Sequence, residues 1–222
     1  MKSLELFSGT GSFGKVAKEL SIDNTSLDIS ARNHPTIQAD ILDWDYKQHK
    51  PNEFQIIWAS PCCTEYSSCL TSRPRNLQMA DRLVVRTFEI IRYFKPRLWF
   101  VENPYTGLLR KRPFMEDKQM FMKVVDYCKY GFEYRKRTSI WTNAATRLEP
   151  LCTKICRCDS AYLDPASKTW KHPKTFGTGP TLVNVHQRHR IPARLILDLI
   201  LSKQRIGEEN ATGEDEASTL PK

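Results

Sequence analysis

Short apolar stretches alternate with amphipathic stretches over much of the chain. Apolar residues cluster into predicted strands at residues 3–7, 26–29, 36–39, 54–58 and 98–101. The stretch 54–58 is dominated by apolar residues, which is typical of a central strand buried on both faces. A helix is predicted after the first strand, through Leu20, and helical spacing of apolar residues predicts another over 77–94. This alternation predicts an α/β fold with helices on both faces of a mostly parallel sheet.

The rest of the chain has a weaker pattern. We expect a helix over 115–128, paired strands near 132–134 and 139–142, and an amphipathic helix over 191–203. Residues 143–185 have no clear period and are rich in Lys, Thr, Pro and Cys, so they are expected to form a small region of their own.

The charge of the chain favours a polyanionic partner. The formal net charge is +9, but residues 206–222 contain five acidic residues and one lysine, which leaves +13 on residues 1–205. The acidic tail should be disordered. The basic residues of the body recur in clusters at Arg110-Lys111-Arg112, Arg135-Lys136-Arg137, Lys168-Lys171-Lys174 and Arg188-Arg190-Arg194. These clusters favour nucleic acid as the partner, the alternative being an ordinary basic surface.

Two further features of the sequence indicate the cellular compartment of the protein. No stretch approaches the roughly 20 apolar residues of a membrane span, and Met1 leads directly into a patterned strand. The chain has seven cysteines, an odd number. We therefore expect a protein that is not secreted and that stays in the reducing cytoplasm or nucleus, in a host cell if the protein is viral, where cysteine clusters indicate reactivity or metal binding before disulfides.

A glycine-containing turn follows the first predicted strand. Residues 8–11 read Ser-Gly-Thr-Gly and open a helix, so that the backbone can approach a ligand closely. Asp28 ends the next strand, where an acid can bind ribose hydroxyls. The glycines also fit the G-x-G-x-x-G pattern, so this turn alone is equally compatible with a dinucleotide.

Two reactive side chains follow the fourth and fifth strands. Cys63 lies in the segment 60–67, at an edge where parallel sheets bind ligands, and a thiolate there could act as a nucleophile. The alternative is a buried structural thiol. Glu102 is predicted at the same edge, with a tight turn at Asn103-Pro104 after it. The alternative for Glu102 is a surface or capping acid.

The order LFSGTGSF, PCCTEYS and VENP resembles the cytosine-5 DNA methyltransferase family along almost the whole chain. The segments NPYTGLLRKRPFM, SIWTN and RHRIPARL are most similar to its compact viral and phage members, a group that includes restriction–modification enzymes. The resemblance implies a class I S-adenosylmethionine-dependent methyltransferase fold, Rossmann-like, with a mostly parallel seven-stranded sheet. It also implies a catalytic domain over 1–142, a minimal target-recognition region over 143–185, and a returning C-terminal helix over 186–205 before the tail at 206–222.

The resemblance also assigns roles to individual residues. Cys63 aligns with the family's nucleophile, and Glu102 would hold the cytosine edge. Lys136 and Arg137 stand where the family has a Q-x-R-x-R element, and Thr64 replaces a glutamine after the nucleophile. The S-adenosylmethionine site would be formed by Phe7, Ser8, Gly9, Thr10, Gly11, Ser12, Phe13, Asp28, Ile29, Asp40, Ile41 and Pro61.

In this interpretation the substrate is double-stranded DNA, and the target cytosine is flipped out of the duplex so that Cys63 can reach it. We expect a monomer with no obligate protein partner. Two alternatives are a relative that methylates transfer RNA by the same chemistry, and a catalytically silent protein that binds S-adenosylmethionine or DNA. Amino-methylating enzymes are disfavoured, because their Asp/Asn-Pro-Pro-Tyr loop is missing where Ser60-Pro61-Cys62-Cys63 stands.

The recognition region contains a group of metal-ligating residue types. Three cysteines and a histidine could form a tetrahedral zinc site that orders a stretch with little core of its own. These residues are Cys152, Cys156, Cys158 and His172. The alternative is three reduced cysteines on a loop, because the spacing is not that of a standard zinc ribbon.

Overall fold

A seven-stranded sheet forms the centre of the protein. The computed structural model describes residues 1–153, 161–172 and 184–201. The strand order in the sheet is β3-β2-β1-β4-β5-β7-β6, and only β7 runs against the others. The strands are β1 (Lys2–Leu6), β2 (Asp23–Asp28), β3 (Ile37–Gln38), β4 (Ile56–Ala59), β5 (Leu98–Pro104), β6 (Met122–Asp126) and β7 (Arg137–Thr142). The predicted seven-stranded, mostly parallel α/β fold is therefore confirmed.

The described helices lie on both faces of this sheet. They are α1 (Ser12–Glu19), α2 (Leu77–Phe94), α3 (Val185–Arg188) and α4 (193–201). Successive residues of β4 point to opposite faces, as the two-residue period of a strand requires. Ile57 joins the apolar cluster that α2 covers, and Trp58 joins the cluster that α1 and α4 cover. Because both clusters are buried, the polar residues of the site are confined to the strand ends.

The region after β5 differs from its prediction. The helix expected over 115–128 is wrong: residues Pro113–Phe121 form a 3₁₀ helix, and β6 follows at Met122. β6 pairs with β7, from Met122 opposite Trp141 to Asp126 opposite Arg137, and not with the stretch 132–134. The β-branched Val124 and Val125 suit a strand, and this distant pairing overrides the local helical spacing.

The tight turn expected at Asn103-Pro104 is also wrong. β5 continues through both residues, which pair with Ser139 and Thr138 of β7. The turn follows at Tyr105, whose N–H donates to Arg137 O at 3.0 Å. The extended backbone buries the Asn103 side chain beneath the neighbouring loop.

A small hairpin stands apart from the main sheet. It consists of β8 (Tyr162–Asp164) and β9 (Thr169–Lys171), and Tyr162 and Leu163 are about half exposed. The hairpin falls within the predicted recognition region, and the predicted domain boundaries stay predictions. The acidic tail at 206–222 lies outside the described residues. In the described part of the chain, no helix has the length and apolarity that crossing a membrane requires.

Candidate active site

The glycine turn between β1 and α1 has a left-handed backbone. Phe7, Gly9 and Gly11 have φ values of 57°, 46° and 64°. A Cβ on Gly11 would meet nothing within 4 Å, and one on Gly9 would meet only Phe7 O at 3.7 Å. Backbone strain, not crowding, is therefore the reason for glycine at these two positions, and the space beside the turn is open.

Asp28 is held against this turn at the end of β2. Its Oδ2 accepts a hydrogen bond from Gly9 N at 2.8 Å, and its Oδ1 accepts one from Ser30 N at 2.8 Å. Ile29 follows it and is 67% exposed, which is unusual for a large apolar side chain. A carboxylate and an exposed apolar side chain at one strand end suit the ribose and the adenine of a nucleoside ligand.

Glu5 supports the turn from inside the fold. Its carboxylate accepts hydrogen bonds from Phe13 N at 3.3 Å, Gly14 N at 3.1 Å and Asn24 Nδ2 at 3.3 Å. Burial raises the pKa of Glu5 to about 7, although these donors oppose the shift. A Cβ on Gly14 would lie 2.9 Å from both Asn24 Nδ2 and Glu5 Oε2, so any larger residue there would displace these two side chains. The sequence analysis did not single out Glu5.

The other residues assigned to the cofactor divide into two groups. Thr10 and Ser12 lie on the turn, with their hydroxyl oxygens 2.9 Å apart. Asp40 is partly exposed and accepts a hydrogen bond from Leu42 N. Phe13 and Ile41 are buried, and the Phe13 ring stacks on Trp58 with centroids 5.5 Å apart, so these two side chains belong to the core.

The open turn, the Asp28 carboxylate and exposed Ile29 fit S-adenosylmethionine, which combines an amino acid with a nucleoside. Ser8, which is buried, donates from its N–H to Leu27 O at 3.1 Å and so joins the turn to β2. The fit rests on the turn backbone and on the polar and exposed side chains. The side chains of Phe13 and Ile41 do not take part, because they are packed in the core.

The loop after β4 carries Cys63 and is anchored at several points. Asn103 Nδ2 donates to Pro61 O at 3.0 Å, a buried contact that ties the loop to β5. Glu65 forms an ion pair with Arg73 and accepts a hydrogen bond from Asn76 N at 2.6 Å. Cys63 is half-buried in this frame, so its position is set by contacts on both sides.

A second anchor of this loop is Tyr66. Its hydroxyl donates to Asp81 Oδ1 of α2 at 2.9 Å, and its carbonyl accepts from Leu108 N at 2.9 Å. Cys62 is exposed, and its thiol lies 3.4 Å from the Thr64 hydroxyl. The loop therefore presents two adjacent thiols in different environments, and only the second is enclosed.

Glu102 is buried at the end of β5 with two partners. The Tyr127 hydroxyl donates to Glu102 Oε1 at 2.9 Å, and Lys136 Nζ lies 3.5 Å from the same oxygen. Lys136 Nζ also donates to Arg188 O at 3.2 Å and lies 4.9 Å from the centre of the Tyr127 ring. Among the described residues, no hydrogen bond is made to Oε2, so that oxygen is available to a ligand.

The charges around Cys63 act in opposite directions. Burial, and after it the Glu102 charge, raise the pKa of the Cys63 thiol to about 11, although the Lys136 charge lowers it. Burial and the neighbouring Glu102 charge also hold the pKa of Tyr127 well above its usual value, so Tyr127 remains a donor. The free thiol is therefore protonated at neutral pH, and neutralising or sharing the Glu102 charge would shift its pKa downward.

The structure brings Cys63, Glu102 and Lys136 together but places Arg137 elsewhere. The Arg137 guanidinium donates to Asp126 at 2.7 Å, and this carboxylate also pairs with Arg135. Burial alone would raise the pKa of Asp126, but the hydrogen bond from Arg137, the Arg135 charge and the Cys152 N–H hold it below its usual range. The predicted catalytic role of Arg137 beside Lys136 stays a prediction, and the Arg137 side chain contacts Asp126 instead of Glu102.

The predicted metal ligands are only partly described. Cys152 Sγ lies 3.9 Å from His172 Nε2, so these two are brought together as predicted. Cys156 and Cys158 lie outside the described residues. Cys128 joins the described pair, although the sequence analysis did not name it.

Several cations of the predicted basic clusters have acidic partners within the protein. Arg112 pairs with Asp81 at 2.7 Å, Arg194 with Glu149 at 2.7 Å, and Lys171 with Asp164. Net charge thus overstates the cationic groups available to a polyanion. Arg110 keeps a different contact, with its guanidinium 4.5 Å from the centre of the Tyr105 ring.

The sheet order, the open glycine turn at β1 and the acid ending β2 define the class I methyltransferase fold, with its ligand cleft at the carboxyl ends of the strands. No family model matches the chain. A probable DNA (cytosine-5)-methyltransferase of Frog virus 3 (isolate Goorha) is 32% identical over 218 residues, which cover 90% of this chain and 99% of the viral protein. The chain therefore belongs to the DNA (cytosine-5)-methyltransferase family, whose methyl donor is S-adenosylmethionine.

A solved structure is also similar. It is described as a DNA modification methyltransferase encoded within an E. coli prophage, with 15% identity and a TM-score of 0.47. The likeness covers 64% of this chain, and the chain spans 46% of that protein.

Proposed function

We propose that this protein transfers a methyl group to carbon 5 of cytosine in double-stranded DNA, through a covalent bond between Cys63 and carbon 6 of a flipped-out base. The observation that carries the proposal is the meeting of three groups at one sheet edge. The Cys63 loop is tied to β5 by the bond from Asn103 to Pro61 O, Glu102 lies on β5, and the glycine turn follows β1 next to β4.

Cys63 supplies the nucleophile. Carbon 5 of cytosine is a poor nucleophile, and addition of a thiolate to carbon 6 converts the ring to an enamine that is reactive at carbon 5. The thiol first gives its proton, by way of solvent water, to the Glu102 carboxylate, and the electron pair that the thiolate releases into the ring is accommodated at ring nitrogen 3. Lys136 favours the thiolate, since its charge lowers the pKa of Cys63.

Glu102 shares a proton with ring nitrogen 3 of the cytosine. Tyr127 and Lys136 both approach Oε1, which leaves Oε2 to face the edge of the base. When Glu102 shares a proton with nitrogen 3, negative charge does not accumulate in the ring. The same sharing removes the negative charge that raises the pKa of Cys63, so base binding and thiol activation are coupled.

The glycine turn, Asp28 and Ile29 would hold S-adenosylmethionine, which would supply a methyl group on a sulfonium centre. Carbon 5 forms the new bond to that methyl as the bond from sulfur breaks. Solvent water then takes the proton from carbon 5, which returns electrons to the ring and breaks the bond between carbon 6 and Cys63. The thiolate is regenerated, and Glu102 recovers its proton from nitrogen 3, so that atoms and charges balance.

Access to the base requires flipping, because carbon 6 is covered by its neighbours in a stacked duplex. The proposed enzyme acts as a monomer, with exposed Lys and Arg side chains holding phosphates. Base-resolution bisulfite sequencing of DNA from a methylation-free bacterial host tests the proposal, with a Cys63→Ala variant as the control. Methylcytosine in a defined short context, lost in the variant, supports it. Soluble, cofactor-binding protein without DNA methylation contradicts it and favours an RNA substrate or a silent binding role.

A further inference from the structure

Two cysteines and a histidine converge at the edge of the sheet farthest from the glycine turn. Cys128 lies just after β6, Cys152 lies in the loop after β7, and His172 directly follows β9. Their ligand atoms all lie within 4.8 Å of one another, and both cysteines are buried. We call these three residues the Cys128 cluster.

We propose that the Cys128 cluster binds one zinc ion, which fastens the β8–β9 hairpin to the catalytic sheet. Thiolates and imidazoles are ligands that Zn²⁺ prefers, and the Cys128 cluster supplies three of the four that a tetrahedral site needs. This assignment replaces part of the ligand set predicted from the sequence, because Cys128 is 24 residues before Cys152 in the chain and shares no local spacing with it.

The separations fit a metal with little movement. Zinc bonds of about 2.3 Å to sulfur and about 2.0 Å to nitrogen place tetrahedral ligand atoms roughly 3.5–3.8 Å apart. Cys152 Sγ and His172 Nε2 are already 3.9 Å apart. The widest pair in the Cys128 cluster needs to close by about 1 Å, which side-chain rotation can supply.

Hydrogen bonds fix the backbone of Cys152, as they usually fix the ligands of a metal site. Cys152 N donates to Asp126 Oδ2 at 3.0 Å, and the Arg137 guanidinium donates to Cys152 O at 3.4 Å. Asp126 and Arg137 are themselves paired on β6 and β7. Such outer-shell contacts orient a ligand and oppose its displacement.

Two large apolar side chains of the hairpin are exposed in the described part of the chain. Tyr162 and Leu163 are about half exposed, and the buried apolar cluster beside it consists of Cys128 and Cys152 with partly buried Ala161. A two-stranded hairpin is marginally stable by itself in water. A metal bond from His172 to two sheet-anchored cysteines supplies the attachment that packing does not.

Metal content of the purified full-length chain tests the proposal independently of methyl transfer. About one zinc ion per chain is expected for the wild type and for Cys69→Ser, an exposed cysteine in another loop that serves as the control. Titration with Co²⁺ should give one equivalent with tetrahedral visible bands and a thiolate charge-transfer band. Cys128→Ser and His172→Ala should each weaken Co²⁺ binding by at least about 100-fold, since even outer-shell changes weaken metal binding by about 10–100-fold.

Two results would overturn the assignment. The first is wild-type protein that contains no zinc and forms no stoichiometric Co²⁺ complex. The second is Cys128→Ser that keeps zinc and the wild-type Co²⁺ spectrum, because the ligands would then be those predicted from the sequence. If Cys128→Ser does not fold, His172→Cys decides: it should retain the metal with a stronger thiolate band, and an unchanged spectrum would exclude His172 as a ligand.

Discussion

Neutralising Glu102 should make Cys63 more reactive toward an alkylating agent while it suppresses methyl transfer. In the free protein the Glu102 charge contributes to raising the pKa of the Cys63 thiol to about 11. Glu102→Gln removes that charge and keeps an oxygen that can accept the hydrogen bond from Tyr127. Unfolding would also expose Cys63 and abolish methyl transfer, so S-adenosylmethionine binding by Glu102→Gln is measured beside both effects to show that the variant is folded.

The magnitude follows from the charges. Two unit charges about 8 Å apart interact by about 2 kcal/mol at an effective dielectric constant of about 20, which is about 1.5 pKa units. The thiolate fraction at pH 8 then rises roughly 30-fold, but a less basic thiolate is also a weaker nucleophile, with a Brønsted coefficient of about 0.4–0.5. The net increase in alkylation rate should be about sixfold.

The assay is iodoacetamide labelling followed by intact mass, in a Cys62→Ser, Cys69→Ser background, because both of those thiols are exposed nearby. Tyr127→Phe keeps both charges and serves as the matched control, expected within about twofold of the parent rate. Methyl transfer by Glu102→Gln should fall by at least about 100-fold. An unchanged or slower alkylation rate would refute the coupling between Glu102 and Cys63, and full methyl transfer would refute the role of Glu102.

Three further predictions follow from buried contacts. Tyr127→Phe removes the 2.9 Å hydrogen bond to Glu102, which is worth about 1.5–3 kcal/mol. The variant should have a kcat about 10–100-fold lower and an unchanged affinity for S-adenosylmethionine in equilibrium dialysis. An unchanged kcat would contradict this prediction. Gly14→Ala forces a Cβ to 2.9 Å from Asn24 and should lower the unfolding free energy by about 1–3 kcal/mol in urea titrations, whereas wild-type stability would show that the contact yields. Burial raises the pKa of Glu5 from 4.5 to about 7, so the stability that protonated Glu5 contributes is present below pH 4.5 and is lost as pH rises through 7. Glu5→Gln should therefore reduce the change in unfolding free energy between pH 4.5 and pH 7 by about 3 kcal/mol. An unaltered pH profile of stability would refute this prediction.

The strands and helices that were predicted correctly are those whose type is set by their own local sequence. β1, β4 and α2 each have an apolar pattern long enough to set their type, and the predicted bounds of α2 agree with Leu77–Phe94. The segment 113–126 was misassigned because its strand forms only by pairing with β7, which comes later in the chain. A pattern within one segment carries no information about that partner.

The candidate site was predictable where its residues sit in short motifs, and not where tertiary contacts supply them. Cys63 follows β4 and Glu102 lies in the last part of β5, both in recognisable segments. Tyr127 and Cys128 come from a region taken for a helix, so neither had a signal in the sequence. Glu5 could have been found, because an acid within a buried strand that precedes a glycine turn needs partners, and the turn N–H groups are the nearest donors.

The central claim is a covalent bond between Cys63 and carbon 6 of the target base. The most direct measurement is incubation of the protein with S-adenosylmethionine and duplex DNA that carries 5-fluorocytosine at the methylated position, followed by mass spectrometry of the protein. Fluorine replaces the hydrogen that must leave carbon 5, so the adduct cannot break down. The account predicts a stable complex in which the modified peptide is bonded through Cys63, absent in Cys63→Ala. Methyl transfer without any adduct, or an adduct on Cys62, would contradict it.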